Sequence, residues 1–295
     1  MREPIPPAEI EVDARLVRRL LREQHHDLAD RRLQRIGTGW DNAVFRLGSD
    51  LTVRVPRRAL GARLIGTELR WVPELAPSLP LPVPTPVRAG EPTDFYPWRW
   101  AVCAHVPGRP PGARAFTAAA GMRAADTLAG FLSALHIPAP SNAPRNPLRG
   151  VPLAQRTDSV ASRLAAAPAA QRAQIKQIWA EALRAPLHTG PDVWLHGDLH
   201  GLNVLASHGR ITGVLDFGDL CAGDPATDLA CGWLLLDHPG RYRMRELMAA
   251  DDAAWTRGRG WALFLGLMFL AHSVDAPVNE AIGRRTLDEV LDEGT

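Results

Sequence analysis

Three side chains between Trp194 and Asp228 carry the chemistry open to this sequence. They are Asp198, Asn203 five positions later, and Asp216 thirteen positions after that. Asp216 ends the apolar run from Ile211 to Leu215 and is followed by Phe217 and Gly218. Moving a phosphoryl group off a nucleotide asks little covalent work of a protein: a carboxylate beside the acceptor hydroxyl, and oxygen ligands for the Mg²⁺ ions on the phosphates. An Asp-x4-Asn loop with a following Asp-Phe-Gly supplies both. On this reading Asp198 is the base, and Asn203 and Asp216 hold the metal.

A second reading of the same window exists. His196, Asp198 and His200 alternate in a pattern that also suits ligation of a zinc-like ion in a hydrolase. It leaves Asn203 and Asp216 without a task, whereas phosphoryl transfer uses all three.

The window resembles the aminoglycoside phosphotransferase family, which includes macrolide phosphotransferases and lies close to choline-type small-molecule kinases. The family's catalytic loop, H-G-D-x-H-x-x-N, is matched by His196-Gly197-Asp198-Leu199-His200-Gly201-Leu202-Asn203. Its metal-binding segment is matched by Leu215-Asp216-Phe217 followed by Gly223-Asp224-Pro225-Ala226-Thr227-Asp228-Leu229. The resemblance implies an α+β, bilobal, protein-kinase-like fold. It further implies Mg²⁺-dependent transfer of the γ-phosphate of ATP or GTP to a hydroxyl of a small molecule, an aminoglycoside- or macrolide-type antibiotic in the first instance. Within it, His196 braces the catalytic loop, and Asp224 and Asp228 cap the next helix and brace the loop; an Asp-Pro helix start fits that role.

The resemblance also directs attention to the nucleotide side. Gly37 and Gly39, in Arg35-Ile36-Gly37-Thr38-Gly39-Trp40-Asp41-Asn42, fall where a turn closes over the phosphates. The motif is short of a full glycine-rich signature, and a plain hairpin reads the same. A kinase normally presents a lysine from its third strand, held by a glutamate of the next helix. The only lysine is Lys176, far downstream, so 33 of the 34 basic residues are arginine. Arg54 is then the candidate phosphate contact and Glu68 its partner; the alternative is a surface ion pair worth under about 1 kcal/mol. Trp100 to His105, with Ala101 and Cys103, is expected to be the connector whose backbone reads the purine edge.

The elements that must position these groups follow from periodicity. Val12, Leu16, Leu20 and Leu21 predict a helix over 11–23. Strands are expected at 33–36, 43–47 and 51–55, then a helix over 60–75 interrupted near Pro73. The proline-dense 77–86 reads as extended, with strands at 87–89 and 98–106. Helices are expected over 117–136, 154–166 and 170–185, and after the catalytic window over 225–236, 241–250, 252–274 and 278–292. Strands first and helices later divide the chain into a nucleotide-binding lobe, 1–106, and a helical lobe with the catalytic loop and acceptor pocket, 107–295.

Composition bounds the remainder. A net charge of +2 leaves no electrostatic footprint for nucleic acid. Cys103, Cys221 and Cys231 lack metal or disulfide spacing, which suits a reducing cytoplasm. The N-terminus lacks the apolar core of a signal peptide, and Trp261–Ala271 is short of the about 20 residues a membrane span requires. The acceptor is not legible. From Asp237 onward ten acids face seven arginines, a slight excess for a cationic acceptor. Trp255, Trp261, Phe264 and Phe269 suit an apolar acceptor and a helix core equally. A metabolic kinase for choline, homoserine, a sugar or a fructosamine, and a nucleotide-binding pseudokinase, stand as alternatives, the latter favoured only by arginine at position 54.

Overall fold

A computed structural model describes residues 2–4 and 6–292. The N-terminal part is a five-stranded antiparallel sheet in the order β1-β2-β3-β5-β4, with strands Leu33–Thr38 (β1), Asn42–Leu47 (β2), Leu51–Pro56 (β3), Pro86–Gly90 (β4) and Trp100–Ala104 (β5). Alternation decides what each face carries. Val53, Val55 and Val102 turn to one face and pack with Val17, Leu20 and Leu21 of helix α1 (Ala14–Gln24), around Phe45, Tyr96 and Trp100. Thr52, Arg54, Ala101 and Cys103 occupy the alternate positions, where Ile65 and Leu69 of helix α2 (Ala59–Leu75) cover Ala101 and Cys103.

Helix α2 runs through Pro73, against the expected interruption. The proline lies in the last turn, so the one bond it forgoes falls where the helix is already ending. Buried Trp71, Val72 and Leu75 hold that turn against the larger part of the molecule. The extended proline segment leads into β4 as expected, after a single 3-10 turn at Ala76–Ser78.

The second part is helical: α3 (Ala118–Leu135), α4 (Thr157–Arg163), α5 (Arg172–Arg184), α6 (Ala226–Leu229), α7 (Cys231–Leu235), α8 (His238–Leu247), α9 (Asp252–Ala271) and α10 (Pro277–Asp292). The helix expected over 225–236 is two short helices, and those expected over 154–166 and 170–185 open with 3-10 turns on either side of Pro168. Helix α9 is buried nearly all round, with Trp261, Phe264 and Phe269 in the core. Asp251 caps it by accepting the Ala254 N–H at 2.7 Å. Among the described residues no helix is long and apolar enough to cross a membrane.

Inside this helical part lie four short strands, of which only the Ile211–Leu215 run is legible in the sequence. Val193–Leu195 (β6) pairs with Cys221–Gly223 (β9), and Val204–Ser207 (β7) with Arg210–Val214 (β8). The β7–β8 connection is His208-Gly209, both at positive φ, the two-residue hairpin turn whose twist matches its strands. These strands deliver the residues of the catalytic window to the face of the helical part that meets the sheet. Contacts cross between the two parts: the Trp40 ring meets the His272 ring edge-on at 5.0 Å, and the 3-10 turn Phe217–Asp219 packs on α2.

Candidate active site

The loop between β6 and β7 holds Asp198, and its shape is set by hydrogen bonds to buried groups. Asp228, 1 % exposed, accepts the backbone N–H groups of His196 at 2.8 Å and Gly197 at 2.7 Å. Its Oδ2 also lies 3.1 Å from His136 Nε2. His196 Nε2 is 2.9 Å from the Leu215 carbonyl, and its Nδ1 accepts the Asp198 N–H at 3.2 Å. Gly197 has φ +81°, and a Cβ there would stand 2.8 Å from the Asp219 carbonyl oxygen, so the loop requires glycine at this point. His196 and Asp228 thus brace the loop. Asp224 accepts the Ala226 N–H at 3.0 Å and pairs with Arg257 through two contacts of 2.7 and 3.1 Å.

Asp198 is enclosed by donors. Its Oδ2 lies 3.0 Å from His200 Nε2 and accepts from Asn203 Nδ2 at 3.1 Å, while Oδ1 accepts from Arg149 Nη2 at 3.2 Å. Burial alone would raise its pKa; the charge and hydrogen bond of His200, with Arg149 behind them, outweigh that and hold it well below the usual carboxylate range. Asp198 is therefore a fixed anion. His200 in turn sits edge-on to the Phe269 ring at 4.8 Å.

Asn203 and Asp216 are tied through the backbone, the Leu215 N–H donating to the Asn203 carbonyl at 2.7 Å. The two Asn203 amide N–H groups donate to the Asp198 carbonyl at 3.0 Å and to its Oδ2 at 3.1 Å, so the side-chain oxygen is the atom of this amide able to ligate a cation. Asp216 follows β8 in the left-handed region, φ 61° and ψ 74°, with a side chain 48 % exposed. Strained conformations of this kind concentrate at functional sites. Among the described residues no three His, Cys, Asp or Glu side chains form a ready cation cage. One carboxylate and one amide oxygen instead suit Mg²⁺, which keeps waters and substrate phosphates as its other ligands.

On the sheet side, Arg54 is 6 % exposed and makes an ion pair with Glu68, itself 1 % exposed. Its second arm, Nη2, lies 2.9 Å from Asp216 Oδ1. Burial would lower the arginine pKa, but Glu68 and Asp216 outweigh it and hold the charge in place. Burial pushes Glu68 up to about 7 against the pull of Arg54. A pair this enclosed is no surface ion pair.

Ala101 and Cys103 require a correction. They lie inside β5, which pairs with β3 on one side and β4 on the other, so their backbone belongs to the sheet and to no connector. Ala101 is the β3 partner of Arg54, and the small pair gives the guanidinium room. Burial pushes the Cys103 thiol up to about 12. The chain leaves the sheet only at His105 and crosses by Val106-Pro107-Gly108. Gly37 stands at a bulge in β1, and Gly39 donates to the Asn42 carbonyl at 2.8 Å. A Cβ at Gly37 would meet nothing within 4 Å, so no packing inside the chain demands glycine there.

The acceptor side resolves two ambiguities of composition. Trp255, Trp261, Phe264 and Phe269 are all buried in the core. The late acids go largely to caps and ion pairs: Asp237 and Asp251 cap α8 and α9, Glu246 and Asp252 pair with Arg243 and Arg245, Glu280 with Arg284, and Glu289 with Arg241. Glu293 lies outside the described residues. Sequence reasoning missed Arg149, Asn146 and Asp219. The Asn146 side chain donates to Asp219 at 2.7 Å. Burial raises the Asp219 pKa, with Arg149 opposing.

Comparison with known proteins agrees with this fold. The fold matches the GDP complex of wild-type aminoglycoside 2'-phosphotransferase-IIIa, at TM-score 0.67 and 19% identity over 94% of this chain and 98% of that one. It matches the GDP and kanamycin complex of APH(2")-IIIa at TM-score 0.70 and 19% identity over the same shares. Macrolide 2'-phosphotransferase MphH from Brachybacterium faecium matches at TM-score 0.55 and 21% identity, over 86% of this chain and 91% of that one. A sequence search of curated proteins gave no match. The model of the phosphotransferase enzyme family (APH) matches residues 32–261, spanning the sheet, the catalytic loop and the first half of α9, and the chain belongs to that family.

Proposed function

We propose that this phosphotransferase moves the γ-phosphate of ATP or GTP, as its Mg²⁺ complex, to a hydroxyl of a small-molecule antibiotic of aminoglycoside or macrolide type, in the cytoplasm. The observation that carries this reading is the convergence of Arg54, Asp216 and the Asp198–Asn203 loop at the junction of the sheet and the helical part. The nucleotide-binding lobe comprises residues 1–106 and the acceptor lobe residues 107–295. Solved relatives bind GDP, and one binds kanamycin, which supports the donor and acceptor classes.

Asp198 accepts a hydrogen bond from the acceptor hydroxyl and aims its oxygen at the phosphorus. A carboxylate of depressed pKa is a poor base toward an ordinary alcohol. It suits a loose transition state, in which the proton leaves only as the new P–O bond makes the hydroxyl acidic. Arg54, held by buried Glu68 and reaching Asp216 with its other arm, carries positive charge to the phosphates through the N–H groups these two carboxylates leave over. Gly37 and Gly39 let the β1–β2 turn approach the phosphates. Asn203 and Asp216 would hold Mg²⁺, which would screen the phosphate charge.

The test is a coupled turnover assay with Mg-ATP and Mg-GTP against aminoglycosides, macrolides, tuberactinomycin-type peptides and metabolic alcohols such as choline and homoserine. Acceptor-dependent turnover reduced at least about 10²-fold in Asp198→Ala, with nucleotide affinity little changed, is the expected result. Turnover with a metabolic alcohol alone replaces the antibiotic reading. Nucleotide binding without product on any acceptor replaces it with a binding role.

A further inference from the structure

We infer that Arg149 is a positioning residue for the Asp198 carboxylate, fixing its Oδ1 and locking the catalytic loop to the turn after Asp216; this rests on the role proposed above for Asp198. Arg149 comes from the Pro/Asn-rich loop before α4, far from either sequence motif, and is 5 % exposed. Its Nε donates to the Gly197 carbonyl at 2.7 Å, and its Nη2 to Asp198 Oδ1 at 3.2 Å. The same Nη2 lies 3.8 Å from Asp219 Oδ2, and the guanidinium stands 5.9 Å from the centre of the Phe264 ring. One planar cation thus spans the backbone before Asp198, the carboxylate of Asp198, and the carboxylate of Asp219.

The two oxygens of Asp198 are served differently. Oδ2 has His200 and Asn203, both from its own loop; among the described residues Oδ1 has Arg149 alone, from elsewhere in the chain. With Oδ1 released, the carboxylate can rotate about its terminal torsion, which is intrinsically broad, and the hydroxyl it orients loses its direction. A misplacement of about 1 Å at a reacting group costs on the order of 10²-fold in rate.

The arginine is itself held. Asn146, three residues earlier, donates to Asp219 Oδ1 at 2.7 Å and accepts the Leu148 N–H at 2.8 Å. Gly150, at φ +67°, donates to Thr227 Oγ1 at 3.2 Å, and its carbonyl accepts the Asp224 N–H at 3.2 Å. A Cβ on Gly223 would come within 2.6 Å of Gly150 Cα. The loop is seated on the segment that also braces the catalytic loop, so Arg149 has little freedom to leave. A lysine retains the charge but cannot donate to the Gly197 carbonyl and Asp198 with the same fixed fork.

The experiment compares Arg149→Ala, Arg149→Lys, Asp198→Ala and the double variant Arg149→Ala/Asp198→Ala. Turnover of Mg-ATP and Mg-GTP is measured with the best acceptor of the panel and with water as acceptor, alongside melting temperature. Arg149→Ala is expected to lose at least about 10²-fold in kcat with nucleotide KM within a few-fold, and Arg149→Lys to fall between it and wild type. Because Arg149 acts through Asp198, the double variant should be no slower than Asp198→Ala. Added guanidinium should restore part of the turnover of Arg149→Ala. Wild-type kcat in either arginine variant overturns the inference, as does a double variant slower by the product of the two single effects. If Arg149→Ala does not fold, Arg149→Lys decides: lowered kcat at unchanged melting temperature supports the inference, and unchanged kcat overturns it. Near-wild-type turnover in Asp198→Ala instead overturns the role of Asp198, on which the inference rests.

Discussion

Arg54 Nη2 lies 2.9 Å from Asp216 Oδ1 while the other arm of the same guanidinium meets Glu68. The side chain that stands where kinases place a lysine thereby links the sheet to the candidate metal ligand directly. An ammonium is a compact point charge and cannot bridge two carboxylates in this planar manner. Arg54→Lys is accordingly expected to raise nucleotide KM several-fold and lower kcat about tenfold. Arg54→Ala leaves Glu68 buried without its cation, and removing one partner of a buried pair costs about 3 kcal/mol or more. Denaturant unfolding beside steady-state kinetics separates the two effects: the lysine variant should stay close to wild-type stability. Equal kinetics for wild type and Arg54→Lys exclude a role for the planar bridge between Glu68 and Asp216.

Glu68 gives a pH signature. Burial raises its folded-state pKa to about 7 from 4.5, so the native protein binds this proton more tightly than the unfolded chain. The stability this contributes is present in full below pH about 4.5 and is lost as pH rises through about 7. Relative to Glu68→Gln, the wild type should lose stability as the pH rises from 4.5 to 8, because the native carboxyl holds its proton more tightly than the unfolded one. Urea unfolding of both proteins across that range tests it. A constant difference between them removes the linkage.

Asp216 combines an exposed carboxylate with a left-handed backbone. Asn tolerates that conformation among non-glycine residues, so Asp216→Asn should keep its melting temperature within a few degrees. It replaces an anionic ligand by a neutral amide. Turnover should fall at least about 10²-fold, and thermal stabilisation by Mg-ATP should shrink towards that by ATP without Mg²⁺. Full stabilisation by Mg-ATP in this variant would remove Asp216 from the metal.

What was legible in the sequence was what local pattern encodes. The alternation of Val53 and Val55 with Arg54, the paired motifs around Asp198 and Asp216, and the apolar run of α9 each read correctly as strand, loop or helix. The connector was misplaced, because Trp100–Ala104 is equally apolar whether it leads out of a sheet or runs through its middle; pairing on both sides decides, and pairing is non-local. Arg149 was invisible for the same reason. It lies 49 positions before Asp198 in a loop without periodicity, and one arginine among many bears no local mark of what it touches. The Asn146-Pro147-Leu148-Arg149-Gly150 turn signals were the only local hint, and they indicate a bend without its destination.

Asp228 and Asp251 are both aspartates that accept backbone N–H groups, yet their substitutions should part sharply. Asp251 sits at the exposed start of α9, and among the described residues its side chain accepts the Ala254 N–H alone, so Asp251→Ala should cost about 1 kcal/mol and leave kinetics unchanged. Asp228 is buried and accepts from both His196 and Gly197, with His136 as a third neighbour. Asp228→Ala strands two buried N–H groups at about 1–3 kcal/mol each, a loss of at least about 2 kcal/mol in all. Asp228→Asn fits the same space but turns an NH₂ group towards one of those donors, so it should recover only part of that stability. Because the two N–H groups belong to the residues just before Asp198, kcat should fall about tenfold in Asp228→Asn even where the protein is fully folded, with nucleotide KM little altered. Unfolding curves for the three variants, with kinetics at a temperature well below each transition, test the contrast. If Asp228→Asn matches wild-type kcat, the catalytic loop keeps its shape without this brace, and the backbone placement of Asp198 then rests on His196 and Arg149.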